Sequence, residues 1–334
     1  MLNTTEVTPS SNSTNNYTND LVINEDLKTA QDVLIIILII LIMIAMGADI
    51  CWKQIWVHIR RPFGPLIGLF CQFVMMPFIG YIYNLIFMFE TRMAAGLLII
   101  SCCPGGAISN AFAYYLDGNV SLSVTMTTIS TVMALGMMPL NVWIYSVKSE
   151  SDKLHIPYEK MALSLVMITS PVLIGMAIRW KVPKYSVYVT KWGSAIGCMI
   201  LVAVLIIEFI SFRESLHQVS WKLILTSISM PMTGMIMGYL IALICRRPSD
   251  VRKTISIESG IQNAAVAFSI IMLSFDIRKH ITILLIPWFY GTAQFVICLL
   301  LCLIYYIYIK YLKKQKSLEK ENIFDKEDKE ITKL

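Results

Sequence analysis

Hydrophobic positions in this chain run in long unbroken stretches rather than in alternation. Read with a window of about 20 residues, the length a helix needs to cross a bilayer, they predict nine spans, near residues 31–50, 63–87, 93–115, 121–146, 160–179, 192–212, 222–245, 254–275 and 281–309. Two of the nine are interrupted. Pro104-Gly105-Gly106-Ala107-Ile108-Ser109-Asn110 breaks the third, and Glu258-Ser259-Gly260-Ile261-Gln262-Asn263 breaks the eighth. Placing a charged side chain at the centre of a membrane helix costs roughly 2.5–3.5 kcal/mol on insertion scales, so polar groups at such positions mark a substrate or ion site. Two broken helices at matching places in the two halves are the sequence pattern of a secondary transporter.

The loops orient these spans. Those after the first, fifth and seventh carry Lys53, Arg60 and Arg61, then Arg179, Lys181, Lys184 and Lys191, then Arg246, Arg247, Arg252 and Lys253, while the opposite loops hold few charges or mix both signs. By the positive-inside rule the amino terminus lies outside and the carboxyl terminus in the cytosol. Residues 1–28 are rich in Asn, Ser and Thr and are expected to be a disordered extracellular tail. They contain N-x-S/T sequons at Asn3, Asn12 and Asn16, which agree with an external tail; sequons arising from composition alone are the competing reading. No hydrophobic core follows Met1, so the first span is expected to direct insertion itself. Residues 29–310 form the transmembrane domain, and residues 311–334, where Lys alternates with Glu and Asp, a charged cytosolic tail, solvated and partly helical or disordered.

Composition narrows the class further. With 334 residues, 56% hydrophobic and 15% charged, and a mean hydropathy of +0.65, the chain cannot hide its apolar surface inside a soluble globule. The net charge of +6 sits in short loops and the tail, which argues for membrane orientation rather than nucleic-acid binding. Cys71, Cys102, Cys103, Cys198, Cys298 and Cys302 fall within spans without zinc-ligand spacing and read as small buried apolar residues. No paired-aspartate, Ser/His or HExxH-type set occurs in the spans, so the chain is not read as an enzyme.

Chemistry gathers at the two interruptions. Pro104 removes a donor and the glycines loosen the helix, leaving peptide groups in need of partners. Freed carbonyls with Ser109 and Asn110 are hard neutral oxygen ligands suited to an alkali cation; a Pro-Gly kink that only helps packing is the other reading of this segment alone. Glu258 and Gln262 stand at i,i+4 on one helical face and add a carboxylate. Gln72, and Ser123 with Thr127 at i,i+4, supply further oxygens. For Ser123 and Thr127 the alternative is bonding back to their own helix.

Several runs resemble the sodium/bile acid cotransporter family, in the family's order, between about residues 40 and 310. They are Phe70-Cys71-Gln72-Phe73-Val74-Met75-Met76-Pro77, Cys102-Cys103-Pro104-Gly105-Gly106 with Ser109-Asn110, Leu122-Ser123 through Met126-Thr127-Thr128, Ala134 to Leu140, and Glu258-Ser259-Gly260-Ile261-Gln262-Asn263; His58-Ile59-Arg60-Arg61-Pro62 resembles a loop of its intestinal and steroid-sulfate members. The resemblance implies an all-α polytopic fold with a panel and a core domain, the core made of inverted repeats whose two broken helices cross. It implies two coupling Na+ ions. One would be held by Ser109, Asn110, Ser123, Thr127 and Glu258, the other by Gln72, Glu258, Gln262 and the carbonyl at Ile261. Asn263, with Asn110, Pro104 and Gly105, would face the substrate. Relatives commonly carry a second glutamine where this chain has Ala265, and an amide and an acid where it has Asp49 and Cys51. The implied activity is sodium-coupled uptake of an amphipathic organic anion, bile acid or steroid sulfate-like, across the plasma membrane. A receptor that binds sodium and ligand without net transport is the alternative.

This topology predicts that an epitope at the amino terminus is labelled on intact cells, whereas one after Lys316 needs permeabilisation. Replacing Asn3, Asn12 and Asn16 with Gln should raise gel mobility. Both epitopes on one side would exclude an odd number of spans, and unchanged mobility would exclude glycans on the tail.

Overall fold

A computed structural model describes residues 52–60, 62–146, 158–193, 219–275 and 282–331, with scattered positions between 37 and 50 and between 195 and 199. The tail 1–28 with its sequons, most of the spans expected at 31–50 and 192–212, and both Asp49 and Cys51 lie outside the described residues.

The described chain is helical. We number its elements α1 (Trp52–Arg60), α2 (Phe63–Phe87), α3 (Thr91–Ser101), α4 (Ile108–Tyr115), α5 (Val120–Ser146), α6 (Tyr158–Lys181), α7 (Trp221–Ile244), α8 (Ser249–Gly260), α9 (Ala264–Ser274) and α10 (Thr282–Ile331). Five of the helices among the described residues are long and apolar enough to cross a membrane: α2, α5, α6, α7 and α10. The chain is thus a multi-pass membrane protein. The spans expected at 93–115 and 254–275 are each two shorter helices, α3 with α4 and α8 with α9. The last helix does not end near residue 310 but continues through the charged segment to Ile331.

The large side chains with almost no exposed surface, among them Met76, Leu97, Ile99, Ile100, Met126, Met138, Met161, Leu165, Leu223 and Tyr290, come from α2, α3, α5, α6, α7 and α10 and fill the interior between them. The opposite faces are also apolar. Phe295, Leu299, Leu303, Ile304 and Ile307 of α10 and Ile228, Met232 and Ile236 of α7 are exposed, as a lipid-facing surface requires.

The two breaks meet. Between α3 and α4 the chain lacks the Pro104 amide, and between α8 and α9 Ile261 is extended, with φ −94° and ψ 105°. The unwound stretches pair as an isolated antiparallel bridge between Gly105 and Gln262: Gly106 N donates to Ile261 O at 3.1 Å and Asn263 N to Pro104 O at 2.9 Å. Without water at that depth, each broken helix satisfies backbone groups of the other.

Gly105 and Gly106 are required by this approach rather than by unusual backbone angles, because no described glycine has a positive φ. A Cβ on Gly105 would run into Glu258 Oε1, and one on Gly106 would meet Gln262 O at 3.1 Å. A third irregularity, which the sequence pattern does not predict, is a π-helical turn at Cys71–Met75 within α2. Asn141 Nδ2 of α5 donates to Phe73 O there at 2.9 Å, supplying a donor where the helical ladder is disturbed.

Because the contact is backbone to backbone at Gly106 and backbone to carboxylate at Gly105, Gly105→Leu and Gly106→Leu should lower the thermal midpoint of the purified protein well beyond Ile174→Ala on the exposed face of α6. Midpoints within a degree of wild type for both leucine variants would rule out the close crossing.

Candidate ion site at the helix crossing

Glu258 occupies the last turn of α8 and is 2% exposed. Its side chain points into the gap between α4 and α5. Ser109 Oγ donates to Oε2 at 2.6 Å, Ser123 Oγ to the same oxygen at 3.1 Å, and Thr127 Oγ1 to Oε1 at 2.6 Å. Ser109 belongs to the first turns of α4, and Ser123 and Thr127 lie one turn apart on α5, so three hydroxyls from two elements converge on one carboxyl group. Thr127 Oγ1 is also 3.0 Å from Ser123 O, so its single proton is shared between its own helix and the nearer carboxyl oxygen. Ser109 Oγ is likewise 2.8 Å from Gly106 O. Asn110, the next residue of α4, has a buried Oδ1 with no hydrogen-bond partner.

A second set of groups surrounds Gln72, which the π turn carries. Its Nε2 donates to Cys103 O at 2.7 Å and to Gln262 Oε1 at 2.5 Å. Its Oε1 is buried and has no partner. Ser109, Ser123 and Thr127 thus gather on Glu258 and Gln72 meets Gln262, while Asn110 and Gln72 each carry an orphaned amide oxygen. A buried acceptor left unmade costs about 1–3 kcal/mol, and a cation satisfies it as well as a proton donor does.

Other expected residues have specific structural tasks. The Ile261 carbonyl accepts Gly106 N, and the Pro104 carbonyl accepts Asn263 N, each leaving a second lone pair. Asn263 is 6% exposed and its Oδ1 caps α9 by accepting Val266 N at 3.2 Å. Gly105 N donates to Ser130 Oγ at 3.3 Å.

Sequence reasoning missed the support on the far side of the second break. An extended segment sends successive peptide groups in opposite directions. At the crossing Ile261 O and Asn263 N face residues 104–106, so Gln262 N and Gln262 O face away. Gln294 of α10 meets both, its Oε1 accepting Gln262 N at 2.9 Å and its Nε2 donating to Gln262 O at 3.0 Å. One turn earlier Tyr290 OH donates to Gly260 O at 3.0 Å. A lone amide inside the apolar run of the last span was the available signal, since a buried amide needs partners.

Polar contacts also tie the end of α4 to α8 and α10. Asn119 N donates to Thr254 Oγ1 at 2.7 Å, Lys253 Nζ to Leu116 O at 2.9 Å, and Tyr305 OH to Asp117 Oδ2 at 2.8 Å. Among the described residues no three His, Cys, Asp or Glu side chains cluster as a metal site. What the crossing offers is hard oxygen with one carboxyl group, ligand chemistry for an alkali cation rather than a transition metal.

A multi-pass helical protein whose two broken helices pair around a buried carboxyl group has the architecture of a secondary transporter. Residues 36–220 match the Sodium Bile acid symporter family. The chain is 36% identical over 276 residues to the human sodium-dependent organic anion transporter, covering 82% of this chain and 73% of that protein. It is 35% identical over 299 residues to the human ileal sodium/bile acid cotransporter, covering 88% and 84%, and 35% over 292 residues to the rabbit one, covering 86% and 83%. The chain belongs to the sodium bile acid symporter family, a family of sodium-coupled transporters and not of enzymes.

Gln294→Leu should strand both backbone groups of Gln262, at about 1–3 kcal/mol for each, and lower the thermal midpoint accordingly. Thr292→Val, two residues away and bonded only to Trp288 O of its own helix at 2.9 Å, should be nearly neutral. Equal midpoints for the two variants would mean that Gln294 bears no part of the crossing.

Proposed function

We propose that this chain is a plasma-membrane symporter that couples two inward-moving Na+ ions to uptake of one amphipathic organic anion of the bile acid or steroid sulfate class. The observation that carries the reading is a buried carboxyl group partnered by three hydroxyls, together with two orphaned buried oxygens, Asn110 Oδ1 and Gln72 Oε1. The names of the relatives, a sodium-dependent organic anion transporter and a sodium/bile acid cotransporter, support the substrate class. We assign one Na+ to Ser109, Asn110, Ser123, Thr127 and Glu258, and the other to Gln72, Gln262, Glu258 and the Ile261 carbonyl, with the anion beside Asn263, Asn110, Pro104 and Gly105. Nine spans in panel and core domains, the amino terminus outside and the carboxyl terminus in the cytosol, complete the proposal.

In this mechanism Na+ replaces the hydroxyl protons as partner of Glu258. Ser109, Ser123 and Thr127 turn from donors to oxygen ligands, which a hydroxyl can do without moving its oxygen. Filling both positions fixes α4 and α5 against α8 and sets the surface that the anion meets. Two sodium ions entering with one monovalent anion carry one net positive charge inward. That charge gains about 2.3 kcal/mol per 100 mV of negative-inside potential.

Uptake of a panel of sulfated and conjugated steroids in sodium against choline medium tests the reading; binding without accumulation of any of them would favour a sensor instead. Glu258→Gln keeps the shape and loses the charge, so sodium-driven uptake should fall to background at normal surface expression. Gln72→Ala and Gln262→Ala should each raise the sodium concentration for half-maximal uptake about tenfold, as expected for losing one good ligand. Asp117→Asn, at the far end of α4, should stay within about twofold of wild type. Wild-type uptake and sodium response in Glu258→Gln would overturn the shared-charge mechanism.

A further inference from the structure

The outer face of α7 and α10 carries a feature that the crossing does not use. Met232, Met235, Ile236, Tyr239 and Leu240 of α7, Ser256 of α8 and Ile297 and Leu301 of α10 line a groove of about 300 Å³. Ser256 is itself satisfied, donating to Met235 O at 2.7 Å, so the wall is apolar along its length. The rims are exposed, with Ile236 at 54% and Met232 at 44%, and they belong to the two helices whose outer faces meet lipid.

Beside Tyr239, at one end of the groove, stands a cation. Arg252 lies one turn before Ser256 on the same face of α8, and its guanidinium stacks over Tyr239, 5.6 Å from the ring centroid. Its Nε is buried and has no hydrogen-bond partner. The neighbouring Lys253 is engaged by Leu116 O and by Tyr305 OH at 3.0 Å. Arg247 has turned to the Phe63 ring, 5.4 Å away, and its Nε donates to Cys245 O at 2.9 Å. Arg252 thus has a donor without a partner and is held at the groove's head by an aromatic ring.

We infer that this groove holds one anionic phospholipid of the leaflet facing the α7–α8 loop, its acyl chain lying along Ile236, Met232 and Ile297 and its phosphate on Arg252. Within a bilayer an apolar groove has no hydrophobic preference for one lipid tail over another. Selection must come from the head group, and a guanidinium with a free donor matches a phosphate oxygen. Basic pockets between transmembrane helices bind anionic head groups on these grounds. The groove then adds orientation, since a lipid whose chain descends between α7 and α10 brings its phosphate to the guanidinium over Tyr239. The site stands apart from the crossing and does not depend on the ion assignment.

Native mass spectrometry of the full chain in neutral detergent, mixed with equal amounts of phosphatidylserine and phosphatidylcholine, tests this. The wild type should retain one phosphatidylserine with at least fivefold preference. Arg252→Gln should bring the ratio to within twofold of one, whereas Arg246→Gln in the loop should leave it unchanged. Ile236→Trp, on an exposed rim, should cut phosphatidylserine retention at least fivefold by filling the groove. Glycerophosphoserine, the head group without chains, should not displace the lipid at equal concentration. Equal retention of both lipids by the wild type, an unchanged ratio in Arg252→Gln, or displacement by glycerophosphoserine overturns the site. If Arg252→Gln cannot be purified, the wild-type ratio and Ile236→Trp decide: full retention by the tryptophan variant refutes the groove.

Discussion

Backbone pairing between residues 104–106 and 261–263 is the constraint from which the other features follow. A helix broken in a membrane frees peptide groups that no solvent reaches, and each would cost several kcal/mol unpaired. Here one break supplies the partners for the other through Gly106 with Ile261 and Pro104 with Asn263. The pairing fixes the distance between α4 and α8, and so puts Ser109 within 2.6 Å of Glu258. It also exposes the outward edge of residue 262, which Gln294 closes. The last helix is thereby held against the crossing at one edge while its opposite face meets lipid.

The groups gathered there can exist in two protonic arrangements with little movement. Three hydroxyls partner Glu258, each keeping lone pairs on its oxygen. Under the proposed ion assignment the same oxygens would serve as ligands once their hydrogens rotate away. The hydroxyls are thus satisfied at the carboxyl group while Asn110 Oδ1 and Gln72 Oε1 have no partner, and under the proposed ion assignment a bound Na+ would satisfy those two acceptors. A carboxyl group buried among alkyl side chains alone would have no such second arrangement.

Away from the crossing, polar contacts among the described residues also tie helix ends together. Asn119 with Thr254, and Asp117 with Tyr305, tie α4, α8 and α10 together where the chain turns. Asp117 itself has φ 52°, a left-handed turn residue that lets Gly118 N reach back to Ala113 O at 2.7 Å and end α4. The breaks are consequently held from both sides, by the crossing at one end of α4 and by this polar turn at the other.

Much of this was legible before any coordinate. Run length alone places α2, α5, α6 and α7 within a residue or two of where they lie, because a membrane helix is set by the number of consecutive apolar residues and little else. Pro104, the paired glycines and Glu258 mark the breaks, since each is costly in hydrocarbon without a task. The side chains that gather at the crossing were named from the motifs, because the polar groups of a membrane interior are few and each must find another. What the sequence could not decide is how those groups divide. That Gln72 rides on a π turn, that the glycines are demanded by contact rather than by dihedral angle, and that Gln294 closes the free edge of Gln262 all depend on which helices are neighbours. Residues 190 positions apart, such as Gln72 and Gln262, carry no local pattern that says they touch. Only tertiary packing brings them together, and the physical reason is the unpaired backbone that each break leaves for the other to satisfy.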